Sequence, residues 1–322
     1  MGIAEYMDIC LSHPELGYYR SRDPFGREGD FTTAPEISQL FGEMIGIWVA
    51  TIWMHLNKPE RIILCELGPG RGTLMSDLLR VIKVLGMEKA AEIHFVETSE
   101  FLIEKQKEAV ADAKWHSSIE TVPSDAPVIF IGNEFLDALP IRQIVKTNNS
   151  WRERVVGLED GKLVFGLGGE LSGSDLPEAK ENEIYEFSPA RENIWMEICR
   201  RVEEQTGAAL MIDYGYTEQK LGNTLQAVKN HSYAGVLENP GEQDLTSHVD
   251  FGKLRSIAIS VNIHGPVTQS EFLKSVGIEA RAEKLIELNP DKSDTIQSGL
   301  KRLIHRDAMG NLFKVIAVTK GI

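Results

Sequence analysis

The chain has 322 residues, of which 42% are hydrophobic and 25% charged, enough to bury a large core and unlike the composition of long disordered segments. Its formal net charge of −14 argues against nucleic-acid binding through phosphate neutralisation and favours a basic partner or a cationic side chain. Cys10, Cys65 and Cys199 lie far apart with no C-x-x-C spacing, which suggests neither a disulfide framework nor a zinc site.

No stretch reaches the ~20 apolar residues of a membrane span, so no membrane insertion is expected. The start, MGIAEYMDICLSHPE, has neither signal-peptide nor transit-peptide character. A cytoplasmic location is expected, or the mitochondrial matrix for a processed eukaryotic form.

Residues 1–60 read as a helical and loop-rich extension. A short helix precedes a turn-rich stretch from Gly17-Tyr18-Tyr19 through Asp23-Pro24-Phe25-Gly26 to Gly29-Asp30-Phe31, long enough for a functional loop. From Pro35, the residues Ile37, Leu40, Phe41, Met44, Ile45 and Trp48 recur at helical spacing. That stripe predicts core, with a homodimer contact as the alternative, and leaves Ser38 and Glu43 to face elsewhere.

A regular alternation follows: strand 62–66, helix 73–85, strand 93–97, helix 99–111, a short strand near 115 and strand 127–132. Such alternation predicts an α/β fold, a parallel sheet with helices on both faces. Residues 141–187 change to short β-prone runs with turn signals at Asn148-Asn149 and Asp160-Gly161, an antiparallel insertion. Ser188-Pro189 starts a helix leading to strand 208–213. Residues 214–250, rich in Gly, Asn and His, read as a loop or lid, after which Asp250 opens a helix. The tail predicts strand 258–263, helices 268–289 and 294–305 and a last strand 312–319, so that 61–322 form one domain.

The chemistry concentrates at strand ends. Glu66-Leu67-Gly68-Pro69-Gly70-Arg71-Gly72 closes an apolar strand, and Thr73 is expected to cap the next helix. Glycines let backbone approach a flat ligand. The dinucleotide fingerprint G-x-G-x-x-G would need Gly where Thr73 stands. G-x-G-x-G after an acid is instead the arrangement of methyltransferases that bind S-adenosylmethionine, with Glu66 placed for the methionine ammonium. Glu97 ends the second strand and can accept both ribose hydroxyls. At the end of the fourth strand Asn133, Glu134 and Asp137 emerge where a transferable methyl should point. Glu134 and Asp137 can hold a guanidinium bidentately, or form the acidic first turn of a helix. His231 and His248 lack a metal spacing and read as substrate-loop or structural residues, so no metal is expected.

The segments GYY, DPFGREGDFTTAPEISQLFGE, ELGPGRGTL, NEFLDALP, MIDYGY and PGEQDLTSHVDF resemble, in order, the mitochondrial complex I assembly arginine methyltransferase family and its bacterial MidA-like relatives. The resemblance implies a Rossmann-like class I methyltransferase that dimethylates an arginine of a respiratory complex I subunit with S-adenosyl-L-methionine. It implies that Gly68, Gly70 and Gly72 cradle the cofactor, that Glu97 meets its ribose, and that Asn133 and Glu134 face the methyl. Thr33, Pro35, Glu36 and Ser38 belong to a signature that would cover the cofactor or substrate pocket. The start of the chain is expected to lack an upstream helical segment of that family. Two other readings stay open: an S-adenosylmethionine-binding assembly chaperone with little catalysis, and a small-molecule methyltransferase.

Overall fold

The described residues of the computed structural model are 1–21, 33–173, 176–229 and 232–322. The stretch from Asp23 to Phe31 and His231, both singled out above, lie outside them.

The chain opens with α1 (Ile3–Ser12), α2 (Tyr18–Ser21), α3 (Ala34–Ile37) and α4 (Gln39–His55), followed by β1 (Ile62–Leu67) and α5 (Thr73–Val84). Next come β2 (Ala91–Val96), α6 (Glu100–Ala109), β3 (Lys114–His116) and β4 (Val128–Asn133). The insertion supplies β5 (Arg142–Thr147), β6 (Ser150–Glu159), β7 (Lys162–Leu171) and β8 (Ile184–Phe187), one antiparallel sheet in the order β7-β6-β5-β8. Then α7 (Pro189–Gln205) leads into β9 (Gly207–Tyr216).

The expected loop or lid at 214–250 is largely something else. Strand β9 runs on to Tyr216, and β10 (Gln226–Lys229), β11 (Ser232–Ala234) and β12 (Asp244–Thr246) form a small antiparallel sheet. Its Gly and Asn residues make the connections between short strands, which composition alone reads as one long loop. After β13 (Val249–Asp250), Asp250 caps α8 (Phe251–Ile257) through the Lys253 N–H at 2.9 Å. Strand β14 (Asn262–Thr268) starts four residues later than its expected position. The following helix is divided at Gly277 (φ +92°) into α9 (Gln269–Ser275) and α10 (Ile278–Leu288). Helix α11 (Ser293–Ile304), the short α12 (Met309–Leu312) and β15 (Phe313–Lys320) complete the chain.

The main sheet runs β3-β2-β1-β4-β9-β15-β14, with β13 beside β9. The strands β3, β2, β1, β4 and β9 are parallel, and β15 is antiparallel to both its neighbours. Strand order reverses between β1 and β4, the switch point at which open α/β sheets bind ligands beyond the strand carboxyl ends.

Every residue of β1 is buried, as a central strand covered on both faces requires. Ile62 and Leu64 pack on the side of α4, α5 and the C-terminal helices, while Ile63, Cys65 and Leu67 meet α7 and α8 through Trp195, Ile198 and Phe251. Helix α4 is interior: Leu40, Phe41, Met44 and Ile45 have no exposure. Gly42 permits its contact with α5, since a Cβ there would stand 2.5 Å from Asp77 Cβ. Ser38 and Glu43, expected to face elsewhere, are engaged. Ser38 Oγ accepts the Leu40 N–H as the cap of α4, and the buried Glu43 pairs with Arg281 at 2.8 Å. Helix α1 packs Ile3, Met7 and Leu11 against Ile141, Val156 and Leu245, tying the insertion and β12 to the rim of the main sheet.

Candidate functional site

The β1–α5 connection holds Gly68, Gly70 and Gly72 at φ +62°, +54° and +79°, a conformation that side chains with a Cβ disfavour. The cap of α5 is Gly72 itself rather than Thr73. Thr73 is the first helical residue, and its hydroxyl donates to Glu36 Oε1 at 2.6 Å. The loop therefore faces the ligand side with backbone, and α3 is latched to it.

Two cavities open above this loop. The larger, about 1040 Å³ counting its mouth, is lined by Leu11, Tyr19, Glu97, Phe135, Asp137 and Asp244 among others. The smaller, about 400 Å³, lies over Pro35, Glu36, Glu66, Pro69, Thr73 and Asn133. Thr33, Gly68, Gly70 and Glu134 line both, so the two are parts of one cleft. Ser38 is not among its lining residues.

Glu66 is buried at the end of β1, and burial holds its carboxyl well above the usual range. Its Oε2 and the Asn133 Oδ1 at the end of β4 are buried without a hydrogen-bond partner. Buried polar atoms of folded proteins are almost always paired. Two such acceptors on neighbouring strands beside the glycine loop thus mark the place of a donor brought by a ligand.

Glu97 follows β2 and is fixed from three sides. Its Oε1 accepts the Thr98 and Ser99 N–H groups at 2.7 and 2.8 Å, and its Oε2 accepts Gln106 Nε2 at 3.1 Å. The same Gln106 nitrogen donates to the Gly70 carbonyl at 2.7 Å, and its Oε1 accepts Trp115 Nε1 at 2.8 Å. One amide thus locks the acid to the glycine loop. Sequence reading passed over Gln106. The available signal was its place one turn after Leu102, a polar residue on the buried stripe of α6.

Beyond β4 no helix forms. Residues 134–140 turn sharply, with Glu134 at φ +51°, so the first-turn reading of Glu134 and Asp137 is set aside. Glu134 Oε1 accepts the Ala34 N–H and Asn133 Nδ2, both at 3.1 Å, and burial pushes its carboxyl up to about 7. Asp137 is buried and accepts the Tyr214 hydroxyl, and burial raises its carboxyl. Behind it, Asp213 Oδ2 accepts the Leu136 and Asp137 N–H groups at 2.9 and 3.1 Å. Arg191 of α7 donates to the carbonyls of Leu136, Asp137, Ser247 and His248 and to the Ser247 hydroxyl. This residue, also missed from sequence, ties the turn after β4 to the strand end at 247–248. His248 stands edge-on to Tyr214 with centroids 5.5 Å apart, and burial lowers its pKa. It does not line the cleft.

An unmet pair of buried acceptors, bare loop backbone and a fixed carboxylate at the next strand end fit a ligand with an ammonium and a sugar, as S-adenosylmethionine has. A family model described as "Putative S-adenosyl-L-methionine-dependent methyltransferase" matches residues 44–267. The mitochondrial protein arginine methyltransferase NDUFAF7 of Danio rerio is 38% identical, with 99% of this chain and 83% of that protein aligned. The Drosophila melanogaster homolog is 35% identical over 99% of this chain and 82% of that protein. Among solved structures, a Burkholderia thailandensis protein bound to S-adenosyl-homocysteine superposes with a TM-score of 0.89 at 28% identity, covering 100% of this chain and 88% of that one. The cleft and the likeness over nearly the full length agree: the chain belongs to the S-adenosyl-L-methionine-dependent methyltransferases of the family that includes NDUFAF7.

Proposed function

We propose that this methyltransferase acts on an ω-nitrogen of arginine in a protein, and that a subunit of respiratory complex I is that protein. The observation that carries the reading is the set of carboxylates at the end of β4. Glu134 and Asp137 line the cleft next to the unpartnered Glu66 and Asn133 oxygens. When bound, S-adenosylmethionine supplies an electrophilic methyl on a sulfonium. Glu66 and Asn133 would hold its ammonium, Gly68, Pro69, Gly70, Gly72 and Thr73 its backbone-facing side, and Glu97 its ribose. The signature residues Thr33, Pro35 and Glu36 wall the methionine end, Glu36 by its bond to Thr73.

The remaining work is alignment. A guanidinium stays protonated at neutral pH, so Glu134 and Asp137 would orient it by its outer nitrogens and turn one nitrogen toward the methyl. Glu134, near 7, can serve as a carboxylate for the cation and can also hold the proton released on transfer. The relatives named protein arginine methyltransferases support an arginine acceptor. Mass spectrometry of complex I subunits from cells with and without this gene tests the reading. An arginine carrying two added methyl groups should lose them when the gene is absent; identical arginine masses in both would refute it.

A further inference from the structure

Asp137 is reached by a chain of hydrogen bonds that starts outside the main sheet. Gln226 of β10 and Thr246 of β12 stand opposite each other in the antiparallel ladder of the small sheet, and Gln226 Nε2 donates to Thr246 Oγ1 at 3.3 Å. The buried Thr246 donates its hydroxyl proton to the hydroxyl of Tyr214 on β9, and the Tyr214 hydroxyl donates to the Asp137 carboxylate. Every donor points the same way, so the bonds polarise one another and the chain ends on an acceptor. Tyr214 and Asp137 both line the larger cavity.

The chain is held at its joints. The Tyr214 ring stands edge-on to Phe313 and to His248, with centroids 5.5 Å away in both cases. The Ser247 N–H, next to Thr246, donates to the Asp137 carbonyl at 3.1 Å and ties the end of β12 to the turn after β4. Around Asp137 stand Glu134 on its own turn, Asp213 of β9, Arg191 of α7 and the phenols of Tyr214 and of Tyr19 from α2. The Tyr19 hydroxyl donates to Asp244, the first residue of β12, at 2.9 Å. Burial raises the Asp137 carboxyl, while the Tyr214 bond and the Arg191 charge oppose that rise. The Tyr214 hydroxyl therefore favours the charged form, the one that accepts donors from a guanidinium.

We infer that Tyr214 is the positioning residue of the acceptor subsite: backed by Thr246 and Gln226, its hydroxyl fixes the direction in which the Asp137 carboxylate meets the substrate. This rests on the arginine reading above and goes beyond it by giving the small sheet of β10 and β12 a part in aligning the methyl acceptor. A carboxylate can accept up to about four hydrogen bonds, so Asp137 keeps the Tyr214 bond while it takes one from the substrate.

The test uses the full-length protein with an acetylated arginyl peptide and its lysyl counterpart, read by methyl-transfer kinetics across pH, and S-adenosylhomocysteine affinity read by calorimetry. Tyr214→Phe removes one oxygen and keeps the ring. It should raise KM for the arginyl peptide about fivefold, the scale of one hydrogen bond. Because Asp137 then loses a donor to its ionised form, the acidic limb of kcat/KM should move upward by roughly half a pH unit. Thr246→Val should act in the same direction, with KM up about twofold. In an Asp137→Asn background Tyr214→Phe should change KM by less than about twofold, since the hydroxyl acts through the carboxylate. Both single variants should keep S-adenosylhomocysteine affinity within about twofold, which also shows that the cleft has folded. An unmoved KM and acidic limb in Tyr214→Phe, or full additivity with Asp137→Asn, overturns the positioning role and leaves the arginine reading standing. If Tyr214→Phe no longer binds S-adenosylhomocysteine, Thr246→Val decides on the same terms. A wild-type protein that binds S-adenosylhomocysteine and methylates the lysyl peptide but not the arginyl one overturns both.

Discussion

At the scale of single residues, the site depends on positions where the backbone must be bare and on carboxylates whose charge is unstable without a ligand. Gly70 combines φ +54° with a place on the cleft floor. Gly70→Val adds a β-branched side chain that resists this conformation and occupies the ligand's space. It should abolish S-adenosylhomocysteine binding by calorimetry, and an unchanged affinity would remove the loop from the site. Glu134 gives a pH signature. Only its ionised form holds a guanidinium, and its pKa lies at about 7, so kcat/KM should rise as pH increases through about 7 and flatten above it. Glu134→Ala should lose about 100-fold or more in turnover, the scale of one aligned polar group in a reacting site, while cofactor affinity persists. Wild-type turnover in that variant would displace Glu134 from the acceptor site.

At the scale of elements, two buried side chains join pieces of the chain that sequence order keeps apart. Gln106 of α6 joins the glycine loop after β1 to the acid after β2. Gln106→Leu preserves the helix but frees Glu97 and the Gly70 carbonyl. We expect about a tenfold weaker affinity for S-adenosylhomocysteine with kcat at saturating cofactor retained, since the hydrogen bonds to Glu97 and the Gly70 carbonyl are lost together with the one from Trp115. A drop in kcat alone would point to another role. Arg191 donates to five acceptors on two strand ends. Arg191→Met keeps the volume and leaves those acceptors in a buried setting, a loss of roughly 3–5 kcal/mol. Chemical denaturation should show that loss, and a change below about 1 kcal/mol would mean that water replaces the guanidinium.

At the scale of the whole molecule, a chain of net charge −14 carries a cleft lined by Glu97, Glu134, Asp137 and Asp244. The net negative charge of the molecule attracts a cationic substrate over distance, and salt screens that attraction. KM for an arginyl peptide should therefore rise with ionic strength while S-adenosylhomocysteine affinity changes little. A salt-independent KM would mean that the field of the molecule does no steering. The same scale separates what one-dimensional order carries from what it does not. Strand β1, its glycine loop and α5 were legible because each is continuous in sequence and its apolar run, turn and helical period are local properties. Glu66, Glu97, Asn133, Glu134 and Asp137 could be named for a related reason: in an alternating α/β chain the strand ends all meet at one edge of the sheet.

The sequence by itself determined the order of strands and helices, the parallel centre of the sheet and the acids at its carboxyl edge, because these follow from periodicity and from neighbours a few residues apart. Only the tertiary structure decided that residues 214–250 carry strands, that Glu43 is spent on Arg281, and that Gln106, Arg191 and the Tyr19–Asp244 pair frame the cleft. Tyr19 and Asp244 stand 225 positions apart. Contacts over such separations leave no local period in the chain, since they arise when the packing of α1 and α2 against β12 brings polar groups into a space where each must find a partner.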